Sequence, residues 1–202
     1  MALDKNNEAK DCLVLAMLPH VVFDGWSEEA LIAGYRDFKN ETVNTDLLFP
    51  RGMRDVALHF GDYIDREMIA KLINVNLNKM PVRERIATCV IVRLGLLAPH
   101  KDAIRRLLSF LALPGNHPFG LQITMKTTDV IWNVAGDTAT DFNYYTKRGL
   151  LAGVYGLTIL YWLSDTSSDY VKTRLFLEQR INEVMQIPKF PGKLARIFQR
   201  LG

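Results

Sequence analysis

The stretch "DTATDFNYYTKR", from Asp137 to Arg148, concentrates side chains that could do chemistry. Asp137 and Asp141 could serve as acid and base, with Arg148 clamping an anion. On a helix beginning near Asp141, however, Asp141, Tyr144, Tyr145 and Arg148 fall at i, i+3, i+4 and i+7, on one face. Aromatic rings beside an arginine are the composition of a protein-binding hot spot. Three readings stand: an interface, a helix start whose aspartate caps while the tyrosines pack inward, and a catalytic cluster. Composition favours the interface.

The rest of the chain offers little catalytic material. His20, His59, His100 and His117 share no metal-ligand spacing, and no Glu-x-x-His pair serves a di-iron bundle. There is no glycine-rich phosphate loop, nucleophile elbow or Cys-x-x-Cys. Cys12 and Cys89 form no motif and read as small hydrophobes in a reducing compartment. We expect no catalytic residues, no metal and no cofactor.

Charge is unevenly distributed. From His20 to Ala70 there are ten acidic and five basic residues, a net of −5. From Tyr170 to Gly202 there are seven basic and two acidic, a net of +5. An acidic head argues against nucleic acid, because phosphate neutralisation supplies much of a DNA reader's affinity. A chain of 202 residues with 49% hydrophobic residues suits one domain with an ample core. The opening "MALDKNNEAKDC" has neither an apolar signal core nor an Arg/Ser-rich presequence. That predicts neither secretion nor a transit peptide. No apolar run reaches the roughly 20 residues that span a bilayer.

The elements that must position these residues read as helices nearly throughout, with period-two alternation almost absent. The expected class is all-α, with about nine or ten helices. "DCLVLAMLPHV" predicts a short apolar helix that Pro19 helps to end. Ser27 caps "SEEALIAGYRDF". The segment 50–77 predicts two helices broken near Gly61. Pro81 opens a helix with Ile86, Val90, Leu94 and Leu97 on one face. The next predicted helix runs from Pro99 to Pro114-Gly115, and Gly136 is a C-cap for the one after it. Thr138 or Thr140 can cap the helix that continues through Trp162. A later helix carries Leu175, Ile181 and Val184 as its apolar stripe. Three domain segments follow: a tail over 1–11, a helical domain over 12–186 and a basic amphipathic helix over 187–202.

Two helices invite lipid. "GLLAGVYGLTILYWL", from Gly149, is apolar all round, so it is central in a core or lies against lipid. In the tail, Leu194, Ile197, Phe198 and Leu201 lie at i, i+3, i+4 and i+7, with Lys193, Arg196 and Arg200 opposite. After the hinge of Pro188 and Pro191, such a helix suits an interfacial membrane anchor; docking on the domain or on a partner subunit is its alternative. The membrane-contacting set is Phe190, Lys193, Leu194, Arg196, Ile197, Phe198, Arg200 and Leu201.

Four stretches carry a family resemblance: "HVVFDGWSEEAL", "RERI", "TDVIWNVAGDTATDFNYYTKRGLLAGVY" and "FLEQRINEVM". Over roughly residues 12–186 they resemble the ubiquinone-biosynthesis accessory family known as coenzyme Q biosynthesis protein nine. The resemblance implies an all-α homodimer built like the TetR regulators, with a helix-turn-helix-like head in which Arg51–Phe60 sits where a recognition helix would lie. It implies no catalysis. It implies isoprenoid or ubiquinone-precursor binding in an apolar pocket, membrane attachment through the last helix, and support of the di-iron demethoxyubiquinone hydroxylase. The hydroxylase-facing patch falls on Ile131, Asp141, Tyr144, Tyr145 and Arg148. Tyr144 replaces a tryptophan found in some members, and Lys147 an arginine. The implied lipid-binding residues are Leu150, Val154, Leu157, Leu160 and Tyr161. The implied location is peripheral, on the cytoplasmic face of a bacterial inner membrane, or on the matrix side for a mature eukaryotic form. A ligand-sensing regulator with the same fold is the alternative, which the acidic head disfavours.

Overall fold

The structure is a computed structural model that describes residues 2–38, 48–137 and 142–185. Among these residues it is all-α: eight α-helices, three short 3-10 turns and no strand. We number the helices α1 (Ala2–Asp24), α2 (Glu28–Phe38), α3 (Met53–Leu72), α4 (Val82–Leu97), α5 (Lys101–Leu111), α6 (His117–Val134), α7 (Phe142–Ser164) and α8 (Val171–Met185). Contacts divide the chain into two compact units, residues 1–75 with 92–127, and residues 76–91 with 128–202. The dividing points fall just after α3 and inside α4 and α6.

In the first unit, α1 packs against α2, α3 and α5. It buries Leu13, Val14, Met17, Leu18 and Val21, spaced at i, i+1, i+4, i+5 and i+8. That continuous buried face carries the helix through Pro19 to Asp24, so the expected stop at Pro19 does not occur. A proline removes one backbone donor, and the packing of the flanking turns outweighs the loss. Residues 2–11, expected as a tail, are helical as well. Asp11 there pairs with His59 at 2.7 Å and Arg66 at 2.5 Å. Ser27 caps α2 as expected, its hydroxyl accepting the Ala30 amide at 3.3 Å. Trp26 ties α5 to this head by donating its indole N–H to the Ala103 carbonyl at 2.9 Å.

The predicted break at Gly61 is also absent, because α3 runs unbroken for 20 residues. A Cβ at Gly61 would lie 3.0 Å from Ile123 of α6. The glycine therefore serves close helix packing. Arg51–Phe60 is the turn before α3 plus its first half, with Met53, Val56, Ala57 and Phe60 buried. Its arginines are engaged within the chain. Arg51 pairs with Asp55 at 2.7 Å, and Arg54 donates to Asn116 at 3.1 Å and lies over the Phe119 ring.

The first unit also encloses an ion pair. Arg93 of α4 donates to Asp65 of α3 at 2.7 Å and to the Thr127 hydroxyl of α6 at 3.2 Å. Thr127 in turn donates to Asp65 at 2.9 Å. All three are buried.

In the second unit α7 packs on α8. Asp165 organises the turn between them, accepting from the Ser167 and Thr173 amides and hydroxyls at 2.6–2.9 Å. The face α8 buries is Thr173, Leu177 and Ile181. Of the expected stripe, Ile181 is buried, Val184 half-buried and Leu175 60% exposed. Leu175 stands two residues from both Thr173 and Leu177, which turns it off that face. On α4, Ile86, Val90, Leu94 and Leu97 are all buried as the spacing predicts. No described helix is long and apolar enough to cross a membrane. The tail set from Phe190 to Leu201 lies outside the described residues.

Candidate functional site: an arginine clamped between two helices

The site starts with the end of α6. Gly136 has φ +86°, a conformation that favours glycine, and a Cβ there would meet Arg85 at 3.2 Å. The Gly136 amide bonds to the Asn133 carbonyl at 3.0 Å and the Asp137 amide to the Trp132 carbonyl at 2.9 Å, which is a Schellman ending. Gly136 is thus the C-cap the sequence predicts. The turn also places the Asp137 carboxylate beside α7.

On α6, Asp129 and Asn133 stand one turn apart, and on α7 so do Tyr144 and Arg148. The two pairs interlock. The Tyr144 hydroxyl and Arg148 Nε both donate to Asp129 Oδ1, at 2.8 and 2.6 Å. Asn133 Nδ2 donates to Asp129 Oδ2 at 3.2 Å. Arg148 Nη1 donates to Asp137 at 3.2 Å, and Nη2 to Asn133 at 3.4 Å. The guanidinium carbon lies 3.3 Å from the centre of the Tyr144 ring. Lys147 completes the cluster, donating to Asp137 at 2.6 Å and standing 5.3 Å over the Trp132 ring. The Trp132 indole donates to the Lys147 carbonyl at 3.2 Å.

Arg148 is only 2% exposed. Burial works against its charge, but the two carboxylates outweigh it and hold the proton more firmly than usual. Burial would likewise raise the Asp129 pKa, and the bonds from Arg148 and Tyr144 lower it instead. Donation to Asp129 keeps the Tyr144 hydroxyl protonated to higher pH than usual. Two positive charges, Arg148 and Lys147, opposed by two carboxylates, with no histidine or thiol in the cluster, supply neither a poised base nor an activated nucleophile. Among the described residues no three His, Cys, Asp or Glu side chains converge on a metal position.

The residues expected to face a partner lie at different depths. Tyr145 is 70% exposed and meets Tyr144 edge-on at 5.1 Å. Tyr144 is half-buried, while Ile131 and Arg148 are buried. Asp141 lies outside the described residues, as do Thr138 and Thr140. Periodicity on α7 alone missed Asp129 and Asn133, since their partners are 15 to 19 positions away. The available signal was the matching four-residue spacing of the two pairs.

The expected lipid residues follow one side of α7 whose cover thins towards its end. Leu150 is half-buried, Val154 is buried, and Leu157, Leu160 and Tyr161 are exposed. A cavity of about 450 Å³ lies elsewhere in this unit, lined from α4 by Glu84 and Thr88 and from α8 by Arg174, Glu178 and Ile181. None of the five lipid residues lines it.

Residues 117–188, which contain the whole cluster, match the family model described as COQ9. The chain is 31% identical over 182 residues to the human ubiquinone biosynthesis protein COQ9, mitochondrial, covering 87% of this chain and 57% of that protein. Its rat counterpart is 32% identical, with 87% and 58% covered. A probable COQ9 of Dictyostelium discoideum is 26% identical, with 88% and 60% covered. The chain thus spans less than two thirds of the length of these relatives. Among solved structures, a TetR transcriptional regulator from Nitrosomonas europaea superposes with a TM-score of 0.57 at 16% identity, covering 87% of this chain and 97% of that one. At that identity the likeness establishes the fold alone. Residues 117–188 match the COQ9 family model, and the chain resembles COQ9 proteins along most of its own length and carries a TetR-like fold.

Proposed function

We propose that this protein is a non-catalytic, lipid-binding accessory factor in ubiquinone biosynthesis. It binds isoprenoid quinone intermediates and presents them to the di-iron demethoxyubiquinone hydroxylase at a membrane surface. One observation carries the reading: the COQ9 match falls on the region where α6 and α7 clamp Arg148 beneath a tyrosine pair whose outer ring, Tyr145, is exposed. Tyrosine held by an arginine is a composition suited to protein contact.

The physical problem is solubility. A polyprenylated ring prefers the bilayer, since each buried CH₂ is worth roughly 0.8 kcal/mol. A carrier must therefore offer apolar surface close to the membrane. The exposed Leu157, Leu160 and Tyr161, continuing from Leu150 and Val154, would supply it. The basic amphipathic set from Phe190 to Leu201 would supply the membrane contact. The protein would act as a peripheral homodimer, on the cytoplasmic face of a bacterial inner membrane or on the matrix side in a mature eukaryotic form.

Mass spectrometry of lipids extracted from the purified protein tests the reading. A stoichiometric isoprenoid or quinone is expected; a chain that purifies empty from a quinone-producing host defeats it. The TetR-like fold keeps a ligand-sensing regulator as the second reading. The acidic head and the engagement of Arg51 and Arg54 within the chain weigh against it. Sub-micromolar, salt-dependent binding to duplex DNA would reverse that order.

A further inference from the structure

Asp129 belongs to no set of residues predicted to touch a partner, yet it is the hub of the cluster. One of its oxygens accepts both the Tyr144 hydroxyl and Arg148 Nε, and the other accepts Asn133. Arg148 is enclosed, with its remaining donors directed at Asp137, Asn133 and the Tyr144 carbonyl. A guanidinium so committed has no fork left for a partner's carboxylate. What it offers outward is its flat face, stacked on the Tyr144 ring. Tyr144 then meets Tyr145 edge-on, with the ring planes 78° apart. Of the two rings, Tyr145 is the one that reaches well into solvent.

We propose that Asp129 is a positioning residue: it fixes Arg148 and Tyr144 so that Tyr145 projects as the anchor of the docking surface. Arg148 then works from beneath that surface and does not touch the partner. An unsupported tyrosine on a helix surface exchanges rotamers, and binding must immobilise it. A neighbouring ring locked in place removes part of that cost, worth roughly 2- to 10-fold in affinity. The partner's matching feature is an apolar slot that accepts an aromatic ring edge. This inference rests on the docking reading above and names the residue that gives it shape.

Capture of purified hydroxylase by the full chain tests both, and tells them apart. Tyr145→Lys abolishes capture if the docking face is right; capture that persists sinks the docking reading and this inference together. With that loss established, Asp129→Ala weakens capture by about 10-fold. Asp129→Asn keeps an acceptor for Tyr144 and Arg148 and restores most of it. Full capture by Asp129→Ala beside an inactive Tyr145→Lys overturns the positioning role alone. Tyrosinate absorbance reads the clamp directly: with Asp129→Ala the Tyr144 hydroxyl ionises at lower pH, and an unchanged titration overturns the inference. Should Asp129→Ala fail to fold, Tyr144→Phe removes only the hydroxyl. It then lowers capture by about 3-fold, and undiminished capture overturns the inference.

Discussion

The two units each hold an aspartate–arginine cluster built on α6, and the two clusters do different work. In the first unit Asp65, Arg93 and Thr127 close on one another, and no ring of the cluster reaches solvent. In the second, the guanidinium is as deeply enclosed, but Asp129 is partly exposed and two tyrosines form the outer layer. An ion pair closed on all sides gains little net stability, because desolvation offsets the attraction. We predict that its value is to fix which residues of α3, α4 and α6 meet. An ion pair with an aromatic cover instead shapes a surface. Enclosure of the cover, more than enclosure of the charge, is what distinguishes the two clusters.

Breaking the internal clamp should have the largest effect. Asp65→Ala leaves Arg93 buried without its carboxylate and costs about 3–5 kcal/mol in denaturant unfolding. Replacing both partners, Asp65→Leu with Arg93→Met, returns the stability to within about 1.5 kcal/mol of the original. A double variant as unstable as the single one contradicts the idea that this pair specifies packing more than it stabilises. Next in size is Arg148→Met. Asp137 keeps Lys147, so the expected cost is smaller, about 2 kcal/mol. Arg148→Lys should recover little of it, since one ammonium cannot reach both carboxylates as a guanidinium does. Equal losses at the two clusters would erase the distinction.

The smallest effect is a pH dependence. The Asp129 pKa is lowered in the folded chain, so its contribution is present above the unfolded value of about 4 and is lost as pH falls through the folded value. Asp165 behaves the same way, its carboxyl held well below the usual range against the pull of burial by bonds from Ser167 and Thr173. Unfolding free energy should therefore drop below about pH 4, and less steeply in Asp129→Asn than in the unsubstituted chain. Parallel slopes would remove Asp129 from the account.

The sequence made most of this fold legible where one element determines its own structure. The Ser27 cap, the Gly136 ending and the buried face of α4 all follow from local rules. It misled where packing between elements overrides a local preference. Pro19 and Gly61 look like breaks, yet each lies inside a helix held by neighbours. Leu175 looks like core because it is apolar, while the polar Thr173 takes the buried place because Asp165 accepts its hydroxyl. The candidate site was half legible. Tyr144, Tyr145 and Arg148 announce a face by spacing alone. That Arg148 turns inward depends on Asp129 and Asp137, and nothing in α7 itself reveals them.

The clamp also constrains how this chain can diverge. One guanidinium bridges a helix, the turn that ends it and the following helix, so Asp129, Asp137 and Arg148 are mutually contingent. Losing the polar group at any one of them leaves hydrogen bonds of the others unmade. Single-step drift through this cluster is narrowed to changes such as Asp129→Asn that keep an acceptor in place. Tyr145, 70% exposed, can vary alone without stranding a buried charge, so the outline of this surface can change while the fold is kept.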